Sequence, residues 1–414
     1  MKILLRSNPV VLTCLALTAG SSHAEGFLDD SKASLNLRNF YLNRNFVNGN
    51  YPQAKAEEWT QSFILDARSG YTEGLVGFWC GRAGALLGEA RRWQGHRQHQ
   101  LLPVHGDGRP ADDFGRLGVA LKAKLSNTEL KAGEWAPALP VLRSDDGRSL
   151  TQTFRGAQIT SKEITGLTLY GGQFRANSPR NDASMEDMFM GGRPDATSDR
   201  FNFGGAEYQF NDKKTQVGAW YSVLADIYQQ RYFNLIHSQP VGGWVLGANL
   251  GYFSGEENGS ARAGALDNRA LSAMLSARTG AHTFYVGLQR LSGDNGWMRV
   301  NGTAGTSLAN DSYNSSYDAA KERSWQLRYD YDFAAQGVPG LTLMTRYIRG
   351  SNAHVGAVTD GEEWGRESEL AYVIQSGPAK NLNVRWRNST LRRDFSTNEF
   401  DENRLIISYP LSLL

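Results

Sequence analysis

The feature that most constrains this chain is a two-residue alternation of apolar and polar side chains that recurs from residue 34 to the C-terminus. No stretch after Ala24 approaches the ~18 consecutive apolar residues that a membrane-spanning helix needs. Segments of about ten alternating residues between turn clusters are typical of membrane β-barrels, whose strands turn an apolar row to lipid and a polar row to the lumen. A chain with this pattern therefore crosses a membrane, if it does, as a closed antiparallel barrel.

The alternation is clearest in two segments. The first has its apolar row at Leu117, Val119, Leu121, Ala123 and Leu125. The second has an aromatic-rich row at Trp325, Leu327, Tyr329, Tyr331 and Phe333, with charged residues between. Aromatic side chains at strand ends are typical of the girdles that mark the two membrane interfaces. These segments predict strands with one lipid face and one aqueous face.

The turns and the chain length predict the size of the barrel. Short turn sequences at 211–214 and 337–340 contrast with long polar stretches such as 292–322, which is typical of periplasmic turns and extracellular loops. Roughly 20 to 22 residues per strand and connection predict about eighteen strands. No Pro- or Ser-rich linker interrupts the pattern, so residues 25–414 are expected to form one all-β domain.

The N-terminus predicts the cellular compartment. Lys2 and Arg6 precede an apolar stretch that ends in small residues at Ser22 and Ala24, the pattern of a signal peptide cleaved after Ala24. Together with the barrel pattern, a secretory signal at 1–24 indicates the bacterial cell outer membrane. Cleavage leaves one cysteine, Cys80, so no internal disulfide is expected. Removing Lys2 and Arg6 leaves 42 basic against 42 acidic residues, a balance that gives no support to nucleic-acid binding.

Strand parity places a set of arginines in the lumen. Residues 382–386 and 405–409 each have an apolar row that we expect to face lipid. An unpaired arginine facing lipid is costly, so the intervening arginines are expected to point inward. The first strand closes against the last and supplies two more at even positions. The predicted luminal arginines are Arg38, Arg44, Arg385, Arg387 and Arg404.

Several segments resemble the OprD-type family of specific porins of pseudomonads. The resemblance is carried by LNLRNFYLNRNF at 35–46, LLPVHGDGRPADDFGRLGVALKAKLSNTELKAGEWAPALPVL at 101–142, LTQTFRGAQITSKEITGLTLYGGQF at 150–174 and DENRLIISYPLSLL at 401–414. It implies an eighteen-stranded barrel narrowed by an inward-folded third loop, with an arginine ladder on one wall. It also implies passive uptake of small carboxylate-bearing solutes, with the short chain favouring aromatic or cyclic carboxylates over basic amino acids and peptides.

The same resemblance implies roles for loop residues. Residues 135–154 are identified as the constriction loop, with Arg143 near its middle and Arg148, Ser149 and Gln152 facing the narrowest point. Asp294 is expected to supply an acidic group opposite the ladder. The alternatives are an ordinary extracellular loop, an exposed turn aspartate, and arginines that merely pair with luminal acids and solvate the wall.

Residues 79–100 depart from the family pattern. They contain four arginines and two histidines between Arg82 and His99 without alternation, and each arginine would cost about 2 to 4 kcal/mol at mid-membrane. Two explanations are open: part of the segment is read out of frame, or it is an unusually basic extracellular loop.

Two other function classes are compatible with a barrel, namely an enzyme and an adhesin or structural protein. A barrel enzyme has no support, because the sequence lacks a G-x-S-x-G elbow and a P-loop, and His237 and His282 have no ligand spacing. We therefore expect no enzymatic activity, no metal and no cofactor. The third class is an adhesin or structural barrel with a plugged lumen. The expected partners are outer-membrane lipid and lipopolysaccharide, with a weak homotrimer left open.

Overall fold

The computed structural model describes residues 29–71, 77–89, 101–106, 109–305 and 307–414, with 77–89 described by their backbone. The predicted signal peptide lies outside the described residues. Within these ranges, the regular secondary structure is entirely strand apart from a single 3-10 turn at Phe333–Gln336. No helix among the described residues is long and apolar enough to span a membrane.

The strands, in chain order, are β1 (Lys32–Phe46), β2 (Lys55–Arg68), β3 (Gly77–Glu89), β4 (Asp113–Leu125), β5 (Thr128–Trp135), β6 (Ala138–Leu139), β7 (Leu142–Arg143), β8 (Thr153–Ser161), β9 (Leu167–Ser178), β10 (Met188–Met190), β11 (Arg193–Ser198), β12 (Phe201–Phe210), β13 (Thr215–Leu224), β14 (Tyr228–Val241), β15 (Trp244–Glu257), β16 (Asp267–Thr279), β17 (His282–Ser292), β18 (Arg323–Asp332), β19 (Leu341–Val355), β20 (Val358–Val373), β21 (Asn383–Arg393) and β22 (Phe400–Ser412).

Eighteen of these strands form a closed antiparallel barrel, as predicted. Each barrel strand pairs with the next barrel strand along the chain, and β22 pairs with β1 in the register Leu411↔Leu35 to Glu402↔Arg44. Closure removes the free sheet edges, so every strand finds backbone partners on both sides. The short hairpins β6–β7 and β10–β11 lie outside the barrel sheet, in two of the long loops.

The barrel is apolar on the outside. Leu121 and Leu271 are each 59% exposed, and most alternate positions of the same strands are polar or buried. A soluble protein would bury such side chains, whereas a lipid-facing surface requires them. The predicted outward row of β4 is confirmed at Leu117, Val119 and Leu121.

Aromatic side chains cluster at both ends of neighbouring strands. Near one rim, Tyr347 packs between Trp325 and Trp364, at ring-centroid distances of 5.6 and 5.9 Å. Near the other rim, Tyr329 lies 5.2 Å from Phe284, and Tyr331 lies 4.8 Å from Phe333. The clusters occupy the two levels where interfacial girdles are expected.

The connections differ in length at the two rims, as predicted. Turns such as 126–127, 211–214 and 242–243 join strands at the rim that also holds both ends of the barrel chain. At the 211–214 turn, Asn211, Asp212 and Lys213 all adopt positive φ values of 52 to 64°, and Asn and Asp tolerate that conformation better than other non-glycine residues. We assign this rim to the periplasm and the rim with long loops to the outside.

The long loops fold into the barrel and create a core there. Leu139 and Leu142 of loop 136–152, Met188 and Met190 of loop 179–200, and Leu308 of loop 293–322 are buried against one wall of the lumen. The wall contributes aromatic side chains from β9 and β12–β15, which are Phe174, Phe201, Phe203, Trp220, Tyr228, Tyr232 and Phe253. This packing holds the inward-folded loop that the sequence predicted.

The segment 79–100 begins within a strand. Residues 77–89 form β3, which pairs with β2 through residues 81–89 and with β4 through residues 77–88. The expectation that the barrel pattern breaks at residue 79 is therefore wrong for the backbone, which continues as a strand to Glu89. Residues 90–100 lie outside the described residues, and the two explanations for this stretch stay predictions.

Candidate functional site

The inward-folded loops leave a cavity of about 1140 Å³ beside the wall opposite the aromatic side chains. Its lining, among the described residues, contains ten arginines and four aspartates and no lysine or glutamate. The arginines are Arg38, Arg143, Arg148, Arg180, Arg299, Arg346, Arg385, Arg387, Arg393 and Arg404. The residues that line the cavity therefore carry more guanidinium groups than carboxylates.

The predicted arginine ladder is brought together on three adjacent strands. Arg38 and Arg44 lie on β1, Arg404 on β22, and Arg385 and Arg387 on β21, all with the inward parity. Four of them line the cavity, while Arg44 lies beside it, with its guanidinium 3.8 Å from the centroid of the Phe400 ring. The five arginines form the arginine wall.

Carboxylates are interleaved with these arginines. Glu402 lies between Arg44 and Arg404, at 2.7 and 2.5 Å. Glu369 pairs with Arg387 and lies 3.7 Å from Arg385, and Asp146 pairs with Arg38 at 2.9 Å. Five guanidiniums thus share three carboxylates, so the acids neutralise the arginine wall incompletely and a positive surplus remains.

Four further arginines, beyond the five predicted from the sequence, line the same cavity near the arginine wall. Arg393 on β21 has the same parity as Arg385 and Arg387 and pairs with Glu363 at 2.9 Å. Arg346 on β19 pairs with Glu367 at 2.5 Å. Strand parity could have identified both residues. Arg180 and Arg299 reach the cavity from irregular loops, where the sequence has no periodicity to indicate direction.

The constriction loop contributes charge of both signs. Arg143 and Arg148 line the cavity, as do Asp145 and Asp146. Arg38 also donates a hydrogen bond to the Arg148 carbonyl oxygen at 2.9 Å, which ties the loop to the arginine wall. Burial lowers the pKa of Arg148, and the neighbouring Arg404 lowers it further.

Ser149 and Gln152 do not face the pore, in contrast to the sequence expectation. Both side chains are buried. The Ser149 hydroxyl lies 2.6 Å from the Thr60 hydroxyl on β2, and Gln152 donates to the Asn301 carbonyl oxygen at 3.0 Å. Buried polar groups are held where they find partners, so these residues anchor the constriction loop between the barrel wall and loop 293–322.

Asp294 is also displaced from its expected position. Its side chain is 83% exposed and lies 3.2 Å from Lys321, outside the cavity lining. The acidic groups at the cavity are Asp145, Asp146, Asp311 and Asp318. Burial raises the pKa of Asp311, which the positive charge of Arg299 partly offsets. The sequence predicted correctly that loop 293–322 supplies acidic side chains to the cavity, but these are Asp311 and Asp318 and not Asp294.

Tyr313 of that loop lies on the arginine wall. Its ring centroid is 4.0 Å from the Arg387 guanidinium carbon and 4.9 Å from that of Arg346. Its backbone N–H donates to Glu367 at 3.0 Å, and Arg404 donates to the adjacent Asn314 side chain at 2.8 Å. A cation–π contact of this kind contributes about 0.5–2 kcal/mol. The wall can therefore hold an aromatic ring as well as a carboxylate.

His237 and His282, the histidines considered as metal ligands, each lie within hydrogen-bond distance of a hydroxyl group on a neighbouring strand. His237 Nδ1 lies 2.9 Å from the Thr215 hydroxyl, and His282 Nδ1 lies 2.8 Å from the Tyr329 hydroxyl. Within the part of the chain that the structure describes, no group of three or more His, Cys, Asp or Glu side chains is arranged to hold a metal ion.

A profile of outer membrane porins of the OprD family matches residues 25–413. The chain belongs to this family. As an OprD-family porin, it is a protein of the bacterial outer membrane, in agreement with the barrel and its apolar exterior. The family assignment made from the sequence segments is confirmed.

Three solved structures show how closely this porin follows known ones. A BenF-like porin from Pseudomonas fluorescens shares 68% identity and a TM-score of 0.93, over 94% of this chain and 100% of that one. Pseudomonas aeruginosa OccK2 (OpdF), solved in complex with glucuronate, shares 61% identity and a TM-score of 0.87 over the same proportions. Pseudomonas aeruginosa OpdK, solved with vanillate, shares 48% identity and a TM-score of 0.89, again over 94% and 100%.

Proposed function

We propose that this porin passes small carboxylate-bearing solutes, with a preference for those whose carboxylate is attached to a ring. The observation that carries the proposal is the charge imbalance at the cavity, where ten lining arginines outnumber four lining aspartates together with the four glutamates that pair with the arginines. A row of fixed positive charges offers a carboxylate successive bidentate contacts, each weak enough to release it.

The ring preference is supported by two observations. Tyr313 shows that the arginine wall accommodates an aromatic ring within cation–π distance. The similar porins OccK2 and OpdK were solved with glucuronate and vanillate, both of which carry a carboxylate on a ring.

Basic amino acids are the second candidate within this family, and the cavity disfavours them. A cationic solute needs accessible carboxylates, but Asp145, Asp146 and Asp318 are engaged with Arg180, Arg38 and Arg299. The guanidinium surplus would repel a net positive charge over the ~8 Å Debye length of physiological salt.

Liposome swelling tests the proposal. Vesicles that contain the purified protein should admit benzoate and glucuronate faster than glucose and arginine. The double variant Arg385→Gln/Arg387→Gln should lower the carboxylate rates and leave the glucose rate within about twofold, since it removes charge and little bulk. Arg366→Gln is the matched control, because Arg366 lies on β20 with the outward parity and is exposed. Equal loss for carboxylate and glucose would remove the arginine wall from the mechanism.

A further inference from the structure

A second cavity, of about 250 Å³, lies on the wall opposite the arginines. It is bounded by the tip of the constriction loop at 138–140 and by the periplasmic halves of β12–β15. Arg143 lines both this cavity and the larger one. Arg143 is therefore the charged residue that the two cavities share.

One side of this cavity is an aromatic surface. The rings of Tyr170 and Trp220 are 4.8 Å apart at an interplanar angle of 31°. Trp220 lies over Gly205 on the neighbouring strand, where a Cβ atom would come within 2.3 Å of the indole. Tyr232 likewise covers Gly251, where a Cβ atom would come within 3.1 Å of its ring. The glycines let both rings lie close to the sheet and leave space on their luminal side.

The remaining lining is mixed, with apolar residues at the loop tip and at Ile236 and polar residues on the strands. Glu207 accepts a hydrogen bond from the Tyr170 hydroxyl at 3.3 Å, and the amides of Gln216, Asn234 and Asn249 also line the cavity. Amide and carboxylate groups beside an aromatic face suit a ring that carries hydroxyl groups, because the ring packs on the aromatic face while its hydroxyls find donors and acceptors at the edge.

Arg143 adds the charged contact. Its Nε atom is buried without a hydrogen-bond partner among the residues that the structure describes. A buried donor without a partner is unfavourable, and a carboxylate that binds the Arg143 side chain would supply one.

We infer that this cavity is an exit subsite that binds the hydroxylated ring of a cyclic carboxylic acid while Arg143 holds the carboxylate. The inference rests on the proposed function and deepens it, since it assigns the selection between ring types to the wall opposite the arginine wall. The volume of the second cavity lies just below the range of ~300–1,000 Å³ typical of drug-sized ligand pockets. A cavity of this size suits a single substituted ring.

The test compares glucuronate, cyclohexanecarboxylate and glucose in liposome swelling and in current-block recordings with the whole barrel. Asn234→Leu removes a group that a ring hydroxyl would contact. We expect it to lower glucuronate permeation at low concentration by about fivefold, the effect of one lost hydrogen bond, and to leave cyclohexanecarboxylate permeation unchanged.

Trp220→Leu should lower permeation of both acids, while Tyr221→Leu, its exposed neighbour on the outward row, should change neither.

The outcomes separate the two proposals. Equal effects of Asn234→Leu on both acids, or no effect of Asn234→Leu and Trp220→Leu in barrels that show normal heat-modifiable gel migration, would overturn the exit subsite. A different observation would contradict the proposed function: the wild-type barrel would admit glucose as fast as glucuronate.

Discussion

The two walls of the lumen are built from the same kind of antiparallel strands but differ in the side chains that they turn inward. The arginine wall, on β21, β22 and β1, carries buried charge that is stabilised by carboxylates placed between the guanidiniums. The opposite wall, on β9 and β12–β15, carries aromatic rings that lie over glycines and bind the apolar parts of the loops. The loops pack on the aromatic wall, so the passage remains open beside the arginines. In the proposed function, the charge of the arginine wall attracts the solute, and the aromatic wall shapes the space that the solute crosses.

The largest effect is expected from breaking the charge balance of the arginine wall. Glu402→Gln leaves Arg44 and Arg404 without their shared carboxylate, and the three side chains are 8%, 2% and 1% exposed for Arg44, Arg404 and Glu402. Losing one partner of a buried ion pair costs about 3–5 kcal/mol. Urea unfolding in detergent or lipid should show the loss as a lower midpoint.

The matched control for that variant is Glu362→Gln. Glu362 also pairs with an arginine, Arg349, but the two side chains are 53% and 47% exposed. Exposed pairs contribute about 0–1 kcal/mol. Equal shifts for the two glutamine variants would contradict the view that the arginine wall behaves as a buried ionic network.

A smaller effect is expected on the aromatic wall. Gly205→Ala places a Cβ atom against the Trp220 ring and should cost about 1–3 kcal/mol through overpacking. Gly204→Ala, one residue away on the outward row, meets its nearest atom at 3.8 Å and should be nearly neutral. Unfolding midpoints of the two alanine variants check this, and a neutral Gly205→Ala would show that the ring is free to move off the glycine.

The smallest effect concerns the contact that fixes the loop between the walls. Ser149→Ala removes the hydrogen bond to Thr60 and should cost about 1 kcal/mol. The constriction loop should then fluctuate more, which single-channel recording would detect as increased open-channel noise. Thr397→Ala, in the loop that joins β21 to β22, serves as the comparison. Noise that does not differ between the two variants would mean that other contacts position the loop.

The sequence predicted the parts of this structure that the membrane constrains. A lipid-facing row must be apolar, so alternation alone identified the inward arginines on β1, β21 and β22. The partners of those arginines were not identified, because Glu369 lies on β20 and reaches Arg387 only through the strand register. Loop residues were predicted least well. Ser149, Gln152 and Asp294 lie in irregular backbone, where contacts made across the lumen decide which side chains face the pore.

The central claim is that unbalanced guanidiniums make this pore selective for anions. Reversal potentials in planar bilayers under a salt gradient test it most directly. The wild-type barrel should be anion-selective, and Arg385→Gln/Arg387→Gln should shift the reversal potential toward zero, while Arg366→Gln should not. A cation-selective wild-type pore, or a double variant with the wild-type reversal potential, would contradict the account.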